Sequence, residues 1–435
     1  MSRGKDARPF NIAIAGLGTV GGGVARLLAE NADLLAARCG RPLRLVAVSA
    51  RDRGRDRGLD LGAVRWVDNA RALAAAEGVD LLVEAIGGAD GIALDLAERS
   101  LAIGRHLVTA NKALIAHHGH HLAVVAEASG ATLAFEGAVA GGIPVIEALR
   151  GSLAGNRLSA VYGILNGTCN YLLSGMAESG RPFQTVLEEA QALGYAEADP
   201  GFDIDGIDAA HKIAILAALA FGARVDFKAG YTEGVRAITP DDIKYAAELG
   251  YRIKLLGLAR LVDGRLEQRV HPCLVDARSP IARVDGVLNA VVAQGDFAGQ
   301  TVFEGSGAGA GPTASAVVGD IVRIVRGGGG PAFSLPADQL ASLPRAPMED
   351  HCGASYVRLR VLDKPGVIAD ISAILRDSSV SLESLIQRGR APDAEVAVVM
   401  VTHECRESAM QAALCRIAGL ATVTEPPLMI RIEEV

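Results

Sequence analysis

The sequence predicts an α/β protein in three parts: a doubly wound dinucleotide-binding domain, an α+β second domain, and a small C-terminal domain of βαββαβ order. The first part is predicted by a short apolar run, residues 10–15, which ends in the glycine pattern GLGTVG and leads into a helical stretch. The second is predicted by long strand-like runs between helical segments, with a hairpin signal at Asp263-Gly264. The third follows a stretch rich in glycine and proline, residues 327–350, and alternates strand and helix patterns in a two-layer order.

The opening strand, glycine turn and helix carry the clearest local signal. Gly16, Gly18 and Gly21 form a GxGxxG pattern, with Thr19 and Val20 at the start of the helix. The first glycine permits the tight turn, and the second lets a pyrophosphate approach the positive end of the helix. Because the pattern follows a strand and opens a helix, it predicts that these five residues bind a dinucleotide.

The second strand, residues 43–49, follows at the distance that a βαβ unit requires, and its end indicates which cofactor is bound. An acidic residue at this end favours NAD, whereas a basic residue can hold the 2′-phosphate of NADP. The chain offers Arg51, while Asp52 lies one step past the usual place of the acidic residue. The preference between NADP and NAD stays open, with a lean to NADP through Arg51.

Later strands at residues 79–86 and 106–109 end where a doubly wound sheet has its ligand crevice. Thr109 and Lys112 follow the second of these strands and are therefore expected to point into the site. A further strand ends at Glu136, before a glycine-rich turn whose exposed carbonyls and single carboxylate suit a hard cation. On the residues alone, this cation site is only one possibility.

Residues 207–221 form the segment around which the chain is organised. They are Ile, Leu and Ala on nearly every side, which predicts a helix buried all round, yet they carry Asp208, His211 and Lys212. Charges are buried only where they have partners, and Asp208 and Lys212, four residues apart, share a helix face. One interpretation is a capped helix end with an internal ion pair. The interpretation we favour is a site in which Lys212, its pKa lowered by burial, acts as an acid/base.

After the second domain the chain returns through small residues, 305–313, which include Gly307 and Gly309. Such residues let the backbone approach a ligand, and the helix that follows has an N-terminus suited to anions. A flexible joint is the alternative interpretation. The predicted boundaries are a dinucleotide-binding domain at 1–145, a second domain at 146–326 whose last helix, about 312–326, returns to the first domain, a linker at 327–350, and a C-terminal domain at 351–435.

Composition excludes several classes of protein. The longest apolar run of the 435 residues, 213–223, is too short to cross a bilayer, and the N-terminus has no apolar signal region. We therefore expect a cytoplasmic protein without a membrane partner. A net charge of −7 with both signs interspersed gives no basic patch for nucleic acid, and six cysteines without a CxxC pair give no zinc or disulfide pattern. Four histidines at 117–121 are interpreted as a solvated loop and not as a metal site.

Six longer motifs occur in the order GLGTVGGGV, TANKALIA, EGAVAGGIPVIEALRG, GILNGTCNY, LGYAEADPGFDIDGIDAAHK and GAGAGPTASAVVGD. Together they make nearly the whole chain resemble the homoserine dehydrogenases of the aspartate pathway. The tail from about residue 352, with its DKPG turn, is similar to an ACT domain, an amino-acid-sensing module. The resemblance implies a Rossmann domain and NAD(P)-dependent interconversion of L-homoserine and L-aspartate 4-semialdehyde, a step in threonine, methionine and isoleucine biosynthesis.

The resemblance also implies roles for individual residues. Lys212 would be the catalytic acid/base, and Lys112 would lie between nicotinamide and substrate. Asp208 would belong to the catalytic set with these two lysines and, together with Glu197, would hold the amino acid substrate. Gly194 would approach cofactor or substrate with its backbone. The other cofactor residues are those predicted from the glycine turn, the strand ends and the return loop: Gly16, Gly18, Thr19, Val20, Gly21, Arg51, Thr109, Gly307 and Gly309.

By the same resemblance, Glu136 and the main-chain oxygens of Val139, Gly141 and Ile143 would form a sodium site. The C-terminal domain would bind a pathway end product, L-threonine first of all, near the turn at 363–367; a dimerisation or solubility appendage is the alternative interpretation of this domain. The middle domain would be a dimerisation domain that pairs subunits into a homodimer or homotetramer. Two alternatives stay open: a catalytically silent amino-acid sensor of the same fold, and another amino-acid dehydrogenase of similar architecture. The resemblance assigns no role to the four histidines.

Overall fold

The structure is a computed structural model that describes residues 8–388 and 394–435. Two sequence predictions fall outside the described residues: the polar N-terminal stretch at 1–7, and most of the turn of the C-terminal hairpin at 389–393. No helix among the described residues is both long and apolar enough to cross a membrane.

The N-terminal domain is a parallel sheet of six strands with helices on both faces. Its elements are β1 (Phe10–Ala15), α1 (Thr19–Glu30), α2 (Ala32–Cys39), β2 (Leu43–Ser49), β3 (Arg65–Trp66), β4 (Leu81–Glu84), α3 (Ile92–Ala102), β5 (His106–Thr109), α4 (Lys112–Ser129) and β6 (Leu133–Ala134). The strand order β3-β2-β1-β4-β5-β6, with all neighbours parallel, is that of a Rossmann fold. The predicted doubly wound domain is confirmed, and the carboxyl ends of β1, β4 and β5 meet at one edge.

The second domain is a mostly antiparallel sheet backed by helices, as predicted. Its elements are α5 (Val145–Glu147), β7 (Leu158–Ile164), α6 (Gly167–Ser179), α7 (Phe183–Ala192), α8 (Gly201–Ile204), α9 (Ile207–Phe221), β8 (Tyr231–Thr232), α10 (Pro240–Glu248), β9 (Tyr251–Val262), β10 (Arg265–Asp276), β11 (Leu288–Gly295), β12 (Gly299–Ser306) and α11 (Ala310–Val325). Asp263 and Gly264 join β9 to β10 with φ values of 51° and 74°, the backbone of a two-residue hairpin turn.

Helix α11 returns to the first domain, as the sequence predicts. It packs against α1 so closely that a Cβ on Gly23 would lie 2.6 Å from the carbonyl oxygen of Ala310. The start of α11 therefore lies beside the helix that follows the glycine turn.

The C-terminal part has the predicted βαββαβ order. Its elements are β13 (Cys352–Gly353), β14 (Ser355–Leu362), α12 (Val367–Asp377), β15 (Leu382–Gln387), β16 (Glu395–Thr402), β17 (Cys405–Arg406), α13 (Glu407–Ala418) and β18 (Leu428–Glu433). The four main strands lie in the order β18-β14-β16-β15 with antiparallel neighbours, the topology of a ferredoxin-like layer.

The C-terminal part differs from the sequence prediction in how it is attached. The sequence predicts a separate domain behind a joint, but β18 pairs in parallel with β10, so one sheet runs through both domains. Behind this sheet Asp242, on α10, accepts hydrogen bonds from Arg358 Nε at 2.7 Å and Tyr356 Oη at 3.0 Å. Asp242 is fully buried, so these contacts join the two domains through their interiors. The edge of β10 explains the difference, because an exposed edge is a site for strand pairing.

The stretch at residues 327–350 connects the domains as a packed segment. Phe333 is fully buried and its ring lies 5.1 Å from that of Phe135. The N–H of Ala337 donates to Glu127 at 2.9 Å, and the N–H of Arg224 donates to the Ala341 carbonyl at 2.9 Å. The glycine and proline content therefore marks a packed segment with two short 3₁₀ turns but no α-helix or long strand, and not a free joint.

Helix α9 lies at the centre of the second domain. It packs against β7, β9 and β10 and against α4 of the first domain. Its buried residues include Asp208, His211 and Lys212, as the apolar pattern predicts. The helix begins after Gly206 and ends before Gly222, with φ values of 84° and 59° that glycine adopts without steric cost.

Candidate active site

Asp208 lies between two lysines that come from different domains. Its Oδ2 accepts a hydrogen bond from Lys212 Nζ at 2.7 Å, and its Oδ1 lies 2.5 Å from Nζ of Lys112 at the start of α4. The side chains of Asp208, Lys212 and Lys112 are 3%, 9% and 35% exposed. The fold therefore brings together the three residues predicted to be catalytic, and Lys112 is the one that solvent reaches.

The charges of this trio act in different directions on each pKa. Burial lowers the pKa of Lys212, Asp208 opposes the shift and Lys112 adds to it, so that the net shift is downward. Burial also lowers the pKa of Lys112, but Asp208 and its acidic neighbours raise it above its usual value. Burial of Asp208 favours its protonation, yet the two ammonium groups hold its pKa below the usual range. Lys212 is therefore the lysine that loses a proton more easily, while Asp208 stays ionised.

Asn166 is a site residue that the sequence analysis did not select. Its side-chain amide donates to Asp208 Oδ2 at 2.9 Å and to Asp203 Oδ1 at 2.8 Å, and its own oxygen caps α6. The preceding residue, Leu165, accepts a hydrogen bond from Lys212 Nζ at 2.6 Å. A signal was available, because both residues follow directly on a buried strand, where ligand-binding side chains are often placed.

The loop before α9 forms the acidic rim of the site. Glu197 is exposed, and Gly194 is exposed with a φ of 76°. Burial lowers the pKa of Lys112, and the charge of Glu197 is among those that raise it. The ring of Phe202, on the short helix α8 that follows, lies 5.4 Å from Lys112 Nζ, a cation–π distance. The segment before α9 thus brings negative charge and one aromatic ring close to Lys112.

The glycine turn of the first domain fits a dinucleotide. A Cβ on Gly16 would lie 2.4 Å from the Ala85 carbonyl oxygen, and one on Gly21 would lie 1.8 Å from the carbonyl oxygen of Gly16. No described atom lies within 4 Å of a Cβ built on Gly18, and α1 begins after it without a side-chain cap. The first N–H groups of α1, beginning with Thr19 and Val20, are therefore free to receive a phosphate.

Several arginines lie beyond β2, near this turn. Arg51, selected from the sequence, is exposed. Arg57, which the sequence analysis did not select, donates from Nε to the carbonyl oxygen of Leu17 at 3.1 Å and so lies against the turn itself. Arg57 and Arg53 both lie near the ring of Trp66, at 5.8 and 5.6 Å, beside a cavity of about 240 Å³. The basic group at the end of β2 thus comprises several arginines and not only the one selected from the sequence.

Glu84 and Asn111 hold the loops at the carboxyl ends of β4 and β5, and the sequence analysis assigned neither of them a role. Glu84, fully buried, accepts hydrogen bonds from Thr109 Oγ1 at 2.6 Å and from the N–H of Ile86 at 2.7 Å. Asn111 caps α4 and donates to the Gly88 carbonyl at 2.7 Å. Because the Thr109 hydroxyl is buried in this network, any contact of Thr109 with a cofactor would involve its backbone.

The loop after β6 carries the residues predicted to hold sodium. Both carboxylate oxygens of Glu136 accept backbone N–H groups, from Ile146 at 2.9 Å and from Glu147 at 2.8 Å. Burial raises the pKa of Glu136 to about 7, and the nearby Asp320 adds to the shift. A cavity of about 640 Å³ opens beside Glu136. Burial and a neighbouring carboxylate both disfavour the ionised form of Glu136, and a bound cation would stabilise that form.

The three carbonyls predicted to complete the sodium set belong to Val139, Gly141 and Ile143, directly after Glu136. Gly141 has a φ of 49°, and a Cβ on it would lie 2.5 Å from the Gly307 carbonyl oxygen, so the return loop lies against this turn. The all-oxygen donor set fits a hard cation. Further along the return loop, Gly309 precedes α11 with a φ of 120°.

The histidines at 117–121 lie on α4, so the expectation of a solvated loop was wrong. Buried apolar residues on both sides of them continue the helical period, which explains the difference. His118 and His121 bind carboxylates of their own domain near the surface. His117 instead reaches the second domain, where its Nε2 lies 3.1 Å from Nε2 of His211 on α9.

Two family models match the chain: "Homoserine dehydrogenase, NAD binding domain" over residues 16–136, and "Homoserine dehydrogenase" over residues 144–322. A homoserine dehydrogenase from Neisseria gonorrhoeae is 44% identical over 432 residues, which cover 98% of this chain and 99% of that protein.

Solved structures agree with the sequence matches. The crystal structure of a homoserine dehydrogenase from Thiobacillus denitrificans matches with a TM-score of 0.92 at 44% identity, over 98% of this chain and 99% of that one. A hyperthermophilic archaeal homoserine dehydrogenase in complex with NADPH matches with a TM-score of 0.62 at 26% identity, over 73% of this chain and 97% of that one.

Proposed function

The chain belongs to the homoserine dehydrogenase family, and from this premise we propose that Lys212 is the acid/base of its oxidoreductase reaction. That reaction interconverts L-homoserine and L-aspartate 4-semialdehyde. The observation that carries the proposal is that Lys212 and Lys112, from different domains, share the buried carboxylate of Asp208. The nicotinamide cofactor gives or takes the hydride, while the protein supplies orientation, charge and the proton.

Lys212 has the properties that proton transfer requires. In the reductive direction, negative charge develops on the aldehyde oxygen, and the Lys212 ammonium stabilises this charge and then donates its proton. In the oxidative direction, neutral Lys212 accepts the proton of the substrate hydroxyl. Burial lowers the pKa of Lys212, so a larger fraction of its amine is neutral at physiological pH. Hydrogen bonds to Asp208 and to the Leu165 carbonyl hold Nζ in one place.

Lys112 keeps its charge while Lys212 exchanges a proton. Its pKa is raised, because the carboxylate of Asp208 outweighs the effect of burial. A permanent cation beside the reacting centre lowers the pKa of Lys212 and attracts the developing oxyanion. We assign to Lys112 an electrostatic role between the nicotinamide and the substrate.

The substrate is proposed to bind through its ammonium group to Glu197 and Asp208. A small polar amino acid offers little apolar surface, so charge has to orient it. Gly194, exposed and with positive φ, is assigned a backbone contact to substrate or cofactor.

The cofactor is proposed to be NADP in preference to NAD. Arg57 against the glycine turn, and Arg51 and Arg53 beside it, support a 2′-phosphate. The NADPH complex of the archaeal relative also supports NADP.

Gly307 and Gly309 are proposed to complete the cofactor site from the return loop. The sodium ion proposed at Glu136, Val139, Gly141 and Ile143 would hold this loop in place, since Gly141 contacts Gly307.

The C-terminal part is proposed to be an ACT domain that binds L-threonine near residues 363–367, where the first N–H groups of α12 can receive a carboxylate. For regulation, threonine has to bind one conformation better than another.

We further propose a cytoplasmic homodimer or homotetramer. Sedimentation that shows only monomer at micromolar concentration contradicts this assembly.

Two other functions were considered. A silent amino-acid sensor has no use for two lysines on one buried carboxylate, and another amino-acid dehydrogenase would act on a different substrate. One assay separates them: reduction of L-aspartate 4-semialdehyde followed by nicotinamide absorbance, with NADPH and NADH side by side. We expect turnover with both cofactors or a preference for NADPH. Absence of turnover favours the sensor, and a strong preference for NADH contradicts the NADP assignment.

A further inference from the structure

Two histidines contact each other across the interface between α4 and α9, next to the proposed site. Nε2 of His117, on α4, lies 3.1 Å from Nε2 of His211, on α9. His211 is only 4% exposed, and its ring stacks on Phe227 with a centroid distance of 4.2 Å. The ring of His117 lies 5.0 Å from the same Phe227 ring. Packing as well as the hydrogen bond therefore holds the two rings together.

The same two helices carry residues of the site at fixed distances from these rings. Lys112 begins α4 one and a half turns before His117, and Asp208 lies less than one turn before His211 on α9. The helices are thus joined at two points, by Lys112 and Asp208 at 2.5 Å and by the histidines at 3.1 Å. Two contacts along one crossing fix both distance and rotation, whereas one contact leaves the helices free to pivot.

We infer that the hydrogen bond between His117 and His211 is an interdomain positioning contact that holds Lys112 against Asp208 for the reaction. His117 and His211 are positioning residues, and the inference rests on the roles proposed above for Lys112 and Asp208. A bond between two Nε2 atoms needs one ring that donates and one that offers a lone pair. The contact is therefore lost when both rings are protonated.

The surroundings keep the pair uncharged at neutral pH. Burial lowers the pKa of His211 to about 4, and burial also lowers the pKa of His117. The charged and titratable groups that face the pair are His118, Asp90 and Lys228 around His117, and Asp208, Lys112 and Lys212 around His211. Since both pKa values are depressed in the folded protein, the contact is complete above the ordinary histidine pKa and is lost as the pH falls through the folded values.

The test compares two substitutions of one residue. His117→Phe keeps an aromatic ring against Phe227 but removes the hydrogen bond, whereas His117→Gln keeps a polar group that does not titrate. We expect His117→Phe to lower kcat for homoserine oxidation roughly three- to tenfold, the effect of one lost hydrogen bond, with the KM for cofactor unchanged. We expect His117→Gln to restore most of this loss and to extend activity to lower pH. His121→Phe, on the same helix but bound to Glu98 of its own domain, is the matched control and should behave as the wild type.

Two outcomes overturn the inference. One is a His117→Phe enzyme with the kcat of the wild type, and a lower melting temperature of that enzyme then assigns the pair a purely structural role. The other is equal loss in His117→Phe and His117→Gln with identical pH profiles. Failure of the proposed function is distinguishable, because it shows as an active Lys212→Ala enzyme whatever His117 does.

Discussion

Replacement of Asp208 by asparagine tests the charge balance of the proposed site. The substitution keeps the shape of the side chain but removes the carboxylate that contacts both Lys112 and Lys212. Burial and the Lys112 charge then act on Lys212 with little opposition, so the pKa of Lys212 falls further. Because reduction of the aldehyde needs the ammonium form, activity is present below this pKa and is lost as the pH rises through it. The loss of activity at alkaline pH should therefore begin at a lower pH in Asp208→Asn than in the wild type.

The size of the shift follows from the distances. A pair of unit charges about 4 Å apart is worth about 4 kcal/mol at an effective dielectric constant of about 20, or about 3 pKa units. Lys112 is partly exposed and can move into solvent when its partner is removed, which reduces the shift. We expect the alkaline limb to move down by about 1 to 3 pH units.

The assay is the initial rate of semialdehyde reduction from about pH 6 to about pH 10, a range that spans the expected titration. Asp203→Asn is the matched control, since Asp203 also binds Asn166 but has no direct contact to either lysine within hydrogen-bond distance among the described residues. It should shift the profile much less. An Asp208→Asn profile that superimposes on that of the wild type refutes the argument that Asp208 sets the pKa of Lys212.

Three further predictions follow from the site and the domain contacts. Glu197→Gln should raise the KM for homoserine about tenfold, the effect of one lost charged hydrogen bond, and steady-state kinetics that show a change only in the cofactor KM contradict this role. Arg57→Leu should weaken binding of NADPH more than that of NADH in a fluorescence titration, with Arg51→Leu for comparison, and equal losses for the two cofactors contradict the lean to NADP. Arg358→Met leaves Asp242 buried without its cation and should cost about 3 to 5 kcal/mol, so an unchanged melting temperature refutes the account of how the C-terminal domain is held.

Local signals in the sequence predicted much of the fold. The glycine turn, the Asp263-Gly264 hairpin and the strand at residues 43–49 all lie where the patterns place them. Asp208 and Lys212 could be found because helix geometry alone puts residues four apart on one face. These features depend on neighbours in the chain, which is why a sequence without an alignment reveals them.

Contacts between distant parts of the chain were harder to predict from the sequence. The approach of Lys112 to Asp208 depends on how two domains pack. The strand pattern placed Lys112 in the ligand crevice, but only the resemblance to a known family placed it beside the substrate. Pairing of β18 with β10 left no local trace, since an edge strand and an internal strand have similar patterns. The contact of His117 with His211 was missed for the same reason, because the two residues are 94 positions apart in the sequence.

The shared sheet also changes how regulation has to be tested. Deletion of residues 352–435 would expose the edge of β10 and leave buried charges such as Arg269 without their partners on β18. A truncated enzyme that loses activity would therefore say little about threonine. Substitutions near residues 363–367, followed by threonine titration of the intact chain, separate regulation from stability.

The most direct test of the account is the turnover of Lys212→Ala and Lys212→Arg beside the wild type, with cofactor affinity measured on each. Alanine removes the proton carrier, and arginine keeps a charge but does not give up its proton at accessible pH. The account predicts that both variants bind cofactor as the wild type does and turn over homoserine at least about a hundredfold more slowly, the usual contribution of general acid/base catalysis. A Lys212→Ala enzyme that is folded, binds cofactor and keeps the turnover of the wild type contradicts the assignment of Lys212 as the acid/base.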